Sequence, residues 1–278
     1  MNRFKILFLA AVSFFIFSSC VTLEEKWFLY PEKYKDLPLK SGKDMKAEEV
    51  SLATEKGIVL KGIFIDHKNS RDTLVYFYGN RESIRKASKR LYFIAEEFAV
   101  NVLCFDYREY GLSSGKTSFG ALVYDAPYIF DFAKERSERI FLFGQSLGTV
   151  QTTVIGSKRS PDGIIMEAPF TSAKEAVPAM TEGLWPPFNV IIRLKADKNL
   201  LTMSGQPVER MKGITAPLLV LHGENDPVFP CRLGRKMYEA AASEEKNFCL
   251  LENTNHDNVN IFSGPAYECI KAFLEKHR

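Results

Sequence analysis

The spacing of apolar and polar positions changes several times along this chain, and each change marks an element. Alternation over Glu49 to Ala53 and over Ile58 to Ile65 suits two strands, with Lys56-Gly57 as the turn of a hairpin. Thr73 to Tyr78 has the length and character of a buried strand. From about Glu82 to Phe98 the period becomes helical, with Ile84, Leu91, Ile94 and Phe98 on one stripe. Asn101 to Phe105 predicts the next strand. Ala121 to Arg136 predicts a mostly helical stretch that Pro127 either starts or kinks. Strands follow at Ile140 to Phe143, Gly163 to Glu167, Ala216 to Gly223 and Phe248 to Glu252. Strands alternating with helices imply an α/β fold, a mostly parallel sheet with helices on both faces. Residues 171–215, after the sixth strand, break the alternation.

One junction carries chemistry. Phe141-Leu142-Phe143-Gly144-Gln145-Ser146-Leu147-Gly148-Thr149 puts a serine between two glycines, after a strand and before a helix. This is the nucleophile-elbow pattern, in which a tight turn pushes the serine hydroxyl into the open. Side chains at Gly144 and Gly148 would collide with the neighbouring strand and helix. A serine hydroxyl is a poor nucleophile near neutral pH and needs a base held by an acid. Asp226 follows the strand that ends at His222-Gly223, and His256 follows the last strand in a turn-rich loop. Ser146, Asp226, His256 is the chain order of such a triad, and all three fall just beyond strand C-termini. The other histidines fit less well: His67 ends a hairpin strand, His222 reads as a packed strand-end residue and His277 adjoins the C-terminus. Glu224 and Asp257 compete with Asp226, whose Asp-Pro setting fits the turn best.

Four blocks in this order resemble the α/β-hydrolase superfamily. They are Tyr78-Gly79-Asn80, Phe105 to Ser113, Gly144 to Gly148, and His222 to Asp226 with the later His256. The branch resembled holds lysophospholipase-like and monoglyceride-lipase-like esterases, membrane-bound acyl-protein thioesterases and serine aminopeptidase relatives. The resemblance covers roughly residues 50 to 275 and implies an α/β-hydrolase fold over residues 47–278. Three positions depart from the family pattern. Tyr78 stands where histidine is usual, and Glu109 and Asn255 each stand where glycine is usual.

The resemblance implies an acyl-enzyme mechanism with an oxyanion hole. Its donors are expected to be the backbone N–H groups of Leu147 and Asn80. Two roles are open to Tyr78. Its hydroxyl joins the hole, as in prolyl-oligopeptidase-like hydrolases, or the ring is a core aromatic ending a strand. The resemblance also implies that residues 171–215 form a short cap region over the site, in which Trp185, Phe188 and Ile191 either line an acyl pocket or anchor the cap to the core. The expected reaction is hydrolysis of carboxylic esters or thioesters, the substrate being a small-molecule or lipid ester. A serine peptidase and a non-catalytic binding protein are the alternatives. No spacing suggests a metal site and no glycine-rich loop suggests a nucleotide, so no cofactor is expected.

Composition adds less. The net charge of +3 over 278 residues does not imply nucleic acid. Arg81, Arg85, Lys86, Lys89 and Arg90 cluster on the first helix, as a solvated face or a contact for anionic lipid headgroups. Arg3 and Lys5 precede an apolar run, Ile6 to Phe17, and Ser18-Ser19-Cys20 follow. This resembles a bacterial lipoprotein signal over residues 1–20, with Cys20 lipidated and Phe17 departing from the usual leucine. An uncleaved membrane anchor and a plain cleaved signal are the alternatives, and all three place the protein outside the cytoplasm. Residues 21–46 then read as a polar tether with a reach of roughly 25–30 Å. Cys104 reads as a core residue. Cys249 and Cys269 fall on the last strand and the last helix, where export would permit a disulfide that the sequence does not establish.

Overall fold

The computed structural model describes residues 19–55, 57–68, 70–186, 188–203 and 205–278. The apolar run Ile6 to Phe17 and most of the expected signal lie outside the described residues.

Strands β1 (Ser19–Leu23) and β8 (Ile192–Ala196) form a parallel two-stranded sheet. The main sheet holds β2 (Met45–Glu55), β3 (Ile58–His67), β4 (Asp72–Phe77), β5 (Asn101–Phe105), β6 (Arg139–Gln145), β7 (Gly163–Glu167), β9 (Leu218–Gly223) and β10 (Lys246–Leu251). Their spatial order is β10-β9-β7-β6-β4-β5-β3-β2. Only β3 pairs antiparallel, with β2 on one side and β5 on the other, and the remaining pairs are parallel. The predicted hairpin is thus present, with Gly57 at φ 80° in its turn. Every residue of β4, β5, β7 and β9 is buried, as expected of parallel strands covered on both faces.

Helix α1 (Ile84–Glu97) packs against β3 and β5, and α9 (Pro265–His277) against β10 and β9. The two sides meet where the Phe98 ring stacks on Tyr267, with centroids 5.8 Å apart. Helices α2 (Phe119–Lys134), α3 (Thr149–Gly156), α7 (Pro207–Arg210) and α8 (Cys231–Ala240) contact one another in that order. Serine caps fix three helix starts. Ser83 accepts from Lys86 N–H ahead of α1, Ser118 from Ala121 N–H ahead of α2, and Ser172 from Glu175 N–H ahead of α4 (Ala173–Ala179). Each bond satisfies an N–H that the helix cannot pair. α2 therefore starts at Phe119, two residues before the predicted boundary, and runs through Pro127.

Beyond α4 the cap continues as α5 (Phe188–Ile191), β8 and α6 (Lys198–Met203). Its partner strand β1 comes from the segment expected to be a tether. That segment is seated on the body. Leu23, Phe28, Leu29 and Tyr34 are buried. Tyr30 N–H donates to Tyr110 Oη at 2.7 Å, Lys33 Nζ to the Ser113 carbonyl at 2.7 Å, and the Tyr34 hydroxyl to Asp106. Isolated apolar residues among polar ones supply these anchors, so residues 21–34 form a strap and not a free linker.

Cys249 on β10 is bonded to Cys269 on α9, with Cα atoms 6.6 Å apart. Cys104 is buried and free, while Cys20 is exposed and free. The basic cluster is not one solvated face. Arg90 Nη2 lies 2.6 Å from Glu167 Oε2 in a buried pair, Lys86 Nζ lies 2.6 Å from Glu32, and Arg81 and Arg85 cover the rings of Tyr30 and Tyr34.

Candidate active site

Ser146 follows β6 directly and holds φ at 49°, in the left-handed region that a non-glycine residue enters rarely. Its glycine neighbours make that turn possible. A Cβ on Gly148 would overlap the Phe77 carbonyl oxygen, and one on Gly144 would lie 2.7 Å from Thr152 Cγ2 and 2.9 Å from the Gly148 oxygen. Thr149 Oγ1 donates to the Ser146 carbonyl at 2.6 Å and accepts from Phe170 N–H at 3.0 Å, tying the elbow to the segment after β7.

The three predicted side chains meet at the C-terminal edge of the sheet. Ser146 Oγ lies 3.0 Å from His256 Nε2, and His256 Nδ1 lies 2.7 Å from Asp226 Oδ2. The carboxylate can only accept, so Nδ1 donates to it, and in the neutral ring this turns the Nε2 lone pair toward the serine hydroxyl. Asp226 Oδ1 accepts the N–H groups of Val228 and Phe229, each at 2.8 Å. Burial opposes the charge on Asp226. Hydrogen bonds from His222 and His256 outweigh it and hold the carboxyl well below its usual range.

His222 is more than a packed strand-end residue. Its Nε2 lies 2.8 Å from the Phe229 carbonyl and 3.4 Å from Asp226 Oδ2, so one N–H is shared between them. Gly234 on α8 leaves the room, since a Cβ there would overlap His222 Nδ1. The i, i+4 spacing of His222 and Asp226 across the strand-end turn is the sequence signal that could have found this contact.

The departures from the family pattern have local reasons. Glu109 holds φ at 72°, the conformation a glycine would take, and its carboxylate accepts Thr117 N–H at 3.1 Å. Asn255 does not adopt positive φ. Its Oδ1 accepts the N–H groups of Asp257 and Asn258 at 2.9 and 3.1 Å, and Asn258 Oδ1 accepts Asn255 N–H at 2.7 Å. These reciprocal bonds brace the His256 loop.

Tyr78 takes the core role. Its fully buried hydroxyl accepts Tyr107 N–H at 3.0 Å and donates to Asp106 Oδ1 at 3.2 Å, and its ring lies 4.2 Å from that of Tyr107. A strand-end side chain points to one face or the other, and here it points into the core, so the hydroxyl is engaged away from Ser146.

Asn80 and Leu147 instead line a cavity of about 470 Å³ together with Ser146 and His256. Gly79 brings that wall close, since a Cβ on it would lie 3.4 Å from Ser146 Cβ. Phe170, Met180, Val228 and Phe229 form an apolar part of the cavity, while Gln145, Arg81 and Glu82 form a polar part. Gln145 is fixed by Tyr76 at 3.0 Å and Glu167 at 3.2 Å. Trp185, Phe188 and Ile191 do not line the cavity, and the first two are 82% and 54% exposed. The cap contributes Met180 in their place.

A mostly parallel sheet with a strained serine after one strand, and an acid and a histidine after two others, defines an α/β-hydrolase fold. Comparison with known proteins agrees. The family profile described as "Serine aminopeptidase, S33" matches residues 68–203 and 189–260. Lysophosphatidylserine lipase ABHD12 of Mus musculus is 35% identical over 218 residues, covering 72% of this chain and 49% of its own. An uncharacterised protein of Mycobacterium tuberculosis is 25% identical over 284 residues, covering 99% of this chain and 96% of its own. Among solved structures, an esterase from Pyrococcus furiosus superposes with a TM-score of 0.67 at 19% identity, covering 87% of this chain and 96% of that one. The chain belongs to the serine aminopeptidase S33 family of α/β-hydrolases. It spans about half the length of the ABHD12 relatives it matches.

Proposed function

We propose that this protein is a serine hydrolase that cleaves carboxylic esters or thioesters, of lipid or acyl type, through an acyl-enzyme. The observation that carries the reading is the continuous chain from Asp226 Oδ2 to His256 Nδ1 (2.7 Å) and from His256 Nε2 to Ser146 Oγ (3.0 Å), with Ser146 and His256 lining the cavity. Ser146 Oγ attacks the acyl carbon as His256 Nε2 takes its proton. Asp226 stays ionised and stabilises the imidazolium. The backbone N–H groups of Leu147 and Asn80 hold the oxyanion. The bond to the alcohol or thiol breaks as His256 returns the proton to it. Water, activated by the same imidazole, then releases the acid.

A partly apolar cavity suits an acyl group, and the lipase and esterase relatives support ester chemistry. One observation favours a second reading as an aminopeptidase. Glu82 lines the cavity, and its Oε2 is buried without a hydrogen-bond partner, as a subsite for a substrate ammonium would be. Burial raises the Glu82 pKa, which weakens it for that task. The test is a fluorophosphonate probe with two substrate sets. Labelling should be lost in Ser146→Ala, and p-nitrophenyl esters should be turned over in preference to aminoacyl-nitroanilides. The reverse preference selects the peptidase, and labelling that survives Ser146→Ala rejects the mechanism.

We also place the protein in the cell envelope, anchored through lipid on Cys20. Cys20 is exposed at the head of the strap, and the Cys249–Cys269 disulfide suits an oxidising compartment. No helix among the described residues is long and apolar enough to cross a membrane. Metabolic labelling with a fatty-acid analogue should mark the wild-type protein and not Cys20→Ser.

A further inference from the structure

We propose that the strap residues Trp27 and Phe28 form the far wall of an acyl-group channel and set the chain length the site accepts. The inference rests on the ester-hydrolase reading above and adds a specificity element outside residues 68–260, where the family profile matches. Four strap residues, Leu23, Trp27, Phe28 and Tyr30, line the cavity that holds Ser146 and His256.

Phe28 stands at the head of a row of aromatic rings. Its ring meets Phe119 edge-on with centroids 6.2 Å apart. Phe119 lies 6.0 Å from Phe170, Phe170 lies 5.7 Å from Phe229, and Phe229 meets the His256 imidazole at 5.2 Å. Phe28, Phe170 and Phe229 all face the cavity, so an apolar track runs from the catalytic base to the strap. Arg81, Glu82 and Gln145 are the polar wall. An acyl chain leaves its carbonyl at Ser146 and gains by following the apolar track, because each methylene removed from water is favourable. Trp27 sits where that track reaches solvent, lining the cavity while remaining 50% exposed. A half-exposed indole there has apolar surface still to be covered.

The strap is held firmly enough to discriminate. β1 pairs with β8 over five residue pairs. The Glu25 carboxylate accepts Phe119 N–H at the start of α2. Arg81 sits 4.6 Å over the Tyr30 ring, and Gly111 N–H donates to the Glu32 carbonyl at 2.8 Å. A wall fixed at both ends of Trp27-Phe28 excludes or contacts a chain at a defined distance from Ser146.

The test is kcat/KM of the full chain for p-nitrophenyl acetate, butyrate, octanoate and laurate. In Trp27→Ala the octanoate-to-acetate ratio should fall about tenfold, the usual scale for losing apolar contact in such a pocket. Trp27→Phe should restore most of it, and Phe28→Leu should shift the preferred length with less risk to the core than alanine. Lys26→Ala, whose exposed ammonium pairs with Glu24, should leave the ratio unchanged. If Trp27→Ala and Phe28→Leu both keep the wild-type ratio within twofold while acetate is turned over, the strap proposal is overturned and the hydrolase stands. If the wild type turns over none of the esters, the ester reading fails and the strap proposal falls with it.

Discussion

His222 Nε2 lies 3.4 Å from Oδ2 of Asp226, the same oxygen that holds His256 Nδ1 at 2.7 Å. One carboxylate oxygen therefore faces two imidazoles, one aligned on the serine and one packed in the core. A hydrogen bond to a charged group contributes about 1.5–3 kcal/mol, and here it also fixes the direction in which the carboxylate faces His256. Replacing His222 by leucine should lower kcat about tenfold, equivalent to ~1.4 kcal/mol of barrier, with KM little changed. The acid limb of the pH–rate profile should move toward higher pH as Asp226 loses a donor. Unchanged kcat and an unmoved acid limb would show that His222 only fills space.

Tyr78 offers a prediction that separates two roles written on one side chain. If its hydroxyl held the oxyanion, Tyr78→Phe would reduce kcat about a hundredfold. Its hydroxyl is instead engaged by Tyr107 N–H and Asp106 in the core. The variant should keep kcat within a few-fold and lose about 1–3 kcal/mol of stability, the cost of leaving a buried hydrogen-bonding partner unsatisfied. Parallel turnover assays and urea unfolding read both quantities, and a hundredfold fall without destabilisation would reinstate the oxyanion role.

Gly148 tests the elbow itself. A methyl group there would overlap the Phe77 carbonyl oxygen, which is backbone of β4 and has no rotamer to yield. Gly148→Ala should destabilise by about 1–3 kcal/mol, as overpacking does. It should also slow fluorophosphonate labelling, because relief requires moving the turn that carries Ser146 and Leu147 away from β4. Wild-type thermal stability together with wild-type labelling would contradict this geometry.

The residues that could be read from sequence are those whose neighbours along the chain announce them. Ser146 sits inside its own motif, and Asp226 and His256 sit in loops that strand boundaries locate. The strap could not be read this way. Leu23, Phe28, Leu29 and Tyr34 have no period, and Tyr34 finds Asp106 at a separation of 72 residues. Arg90 belongs to a basic cluster in sequence, yet its partner Glu167 is 77 residues away. For Tyr78, the sequence marks the strand end but not the face on which the ring falls. Trp185 and Phe188 had the composition of a pocket wall. Neither lines the cavity, whereas Leu23, Trp27, Phe28 and Tyr30 do, from the segment whose strand β1 pairs with β8.

The buried Asp106 carboxyl makes folding stability depend on pH. Burial raises its carboxyl to about 6, against the pull of hydrogen bonds from Tyr34, Ile84 N–H and Tyr78. The unfolded carboxyl titrates near 3.9. Between these values the folded state keeps a proton that the unfolded chain has released. This contribution is complete below about pH 4 and is lost as the pH rises through about 6. Asp226 has the opposite sign. Its folded pKa is depressed, so its contribution is present above about pH 4 and is lost only in stronger acid. Urea unfolding of wild type and Asp106→Asn at pH 4.5 and pH 7 isolates the first effect. The wild-type advantage should be larger at pH 4.5 by on the order of 2 kcal/mol. A difference that is flat between the two pH values would mean that Asp106 is ionised in the folded protein throughout, held by its three donors against the burial that opposes its charge.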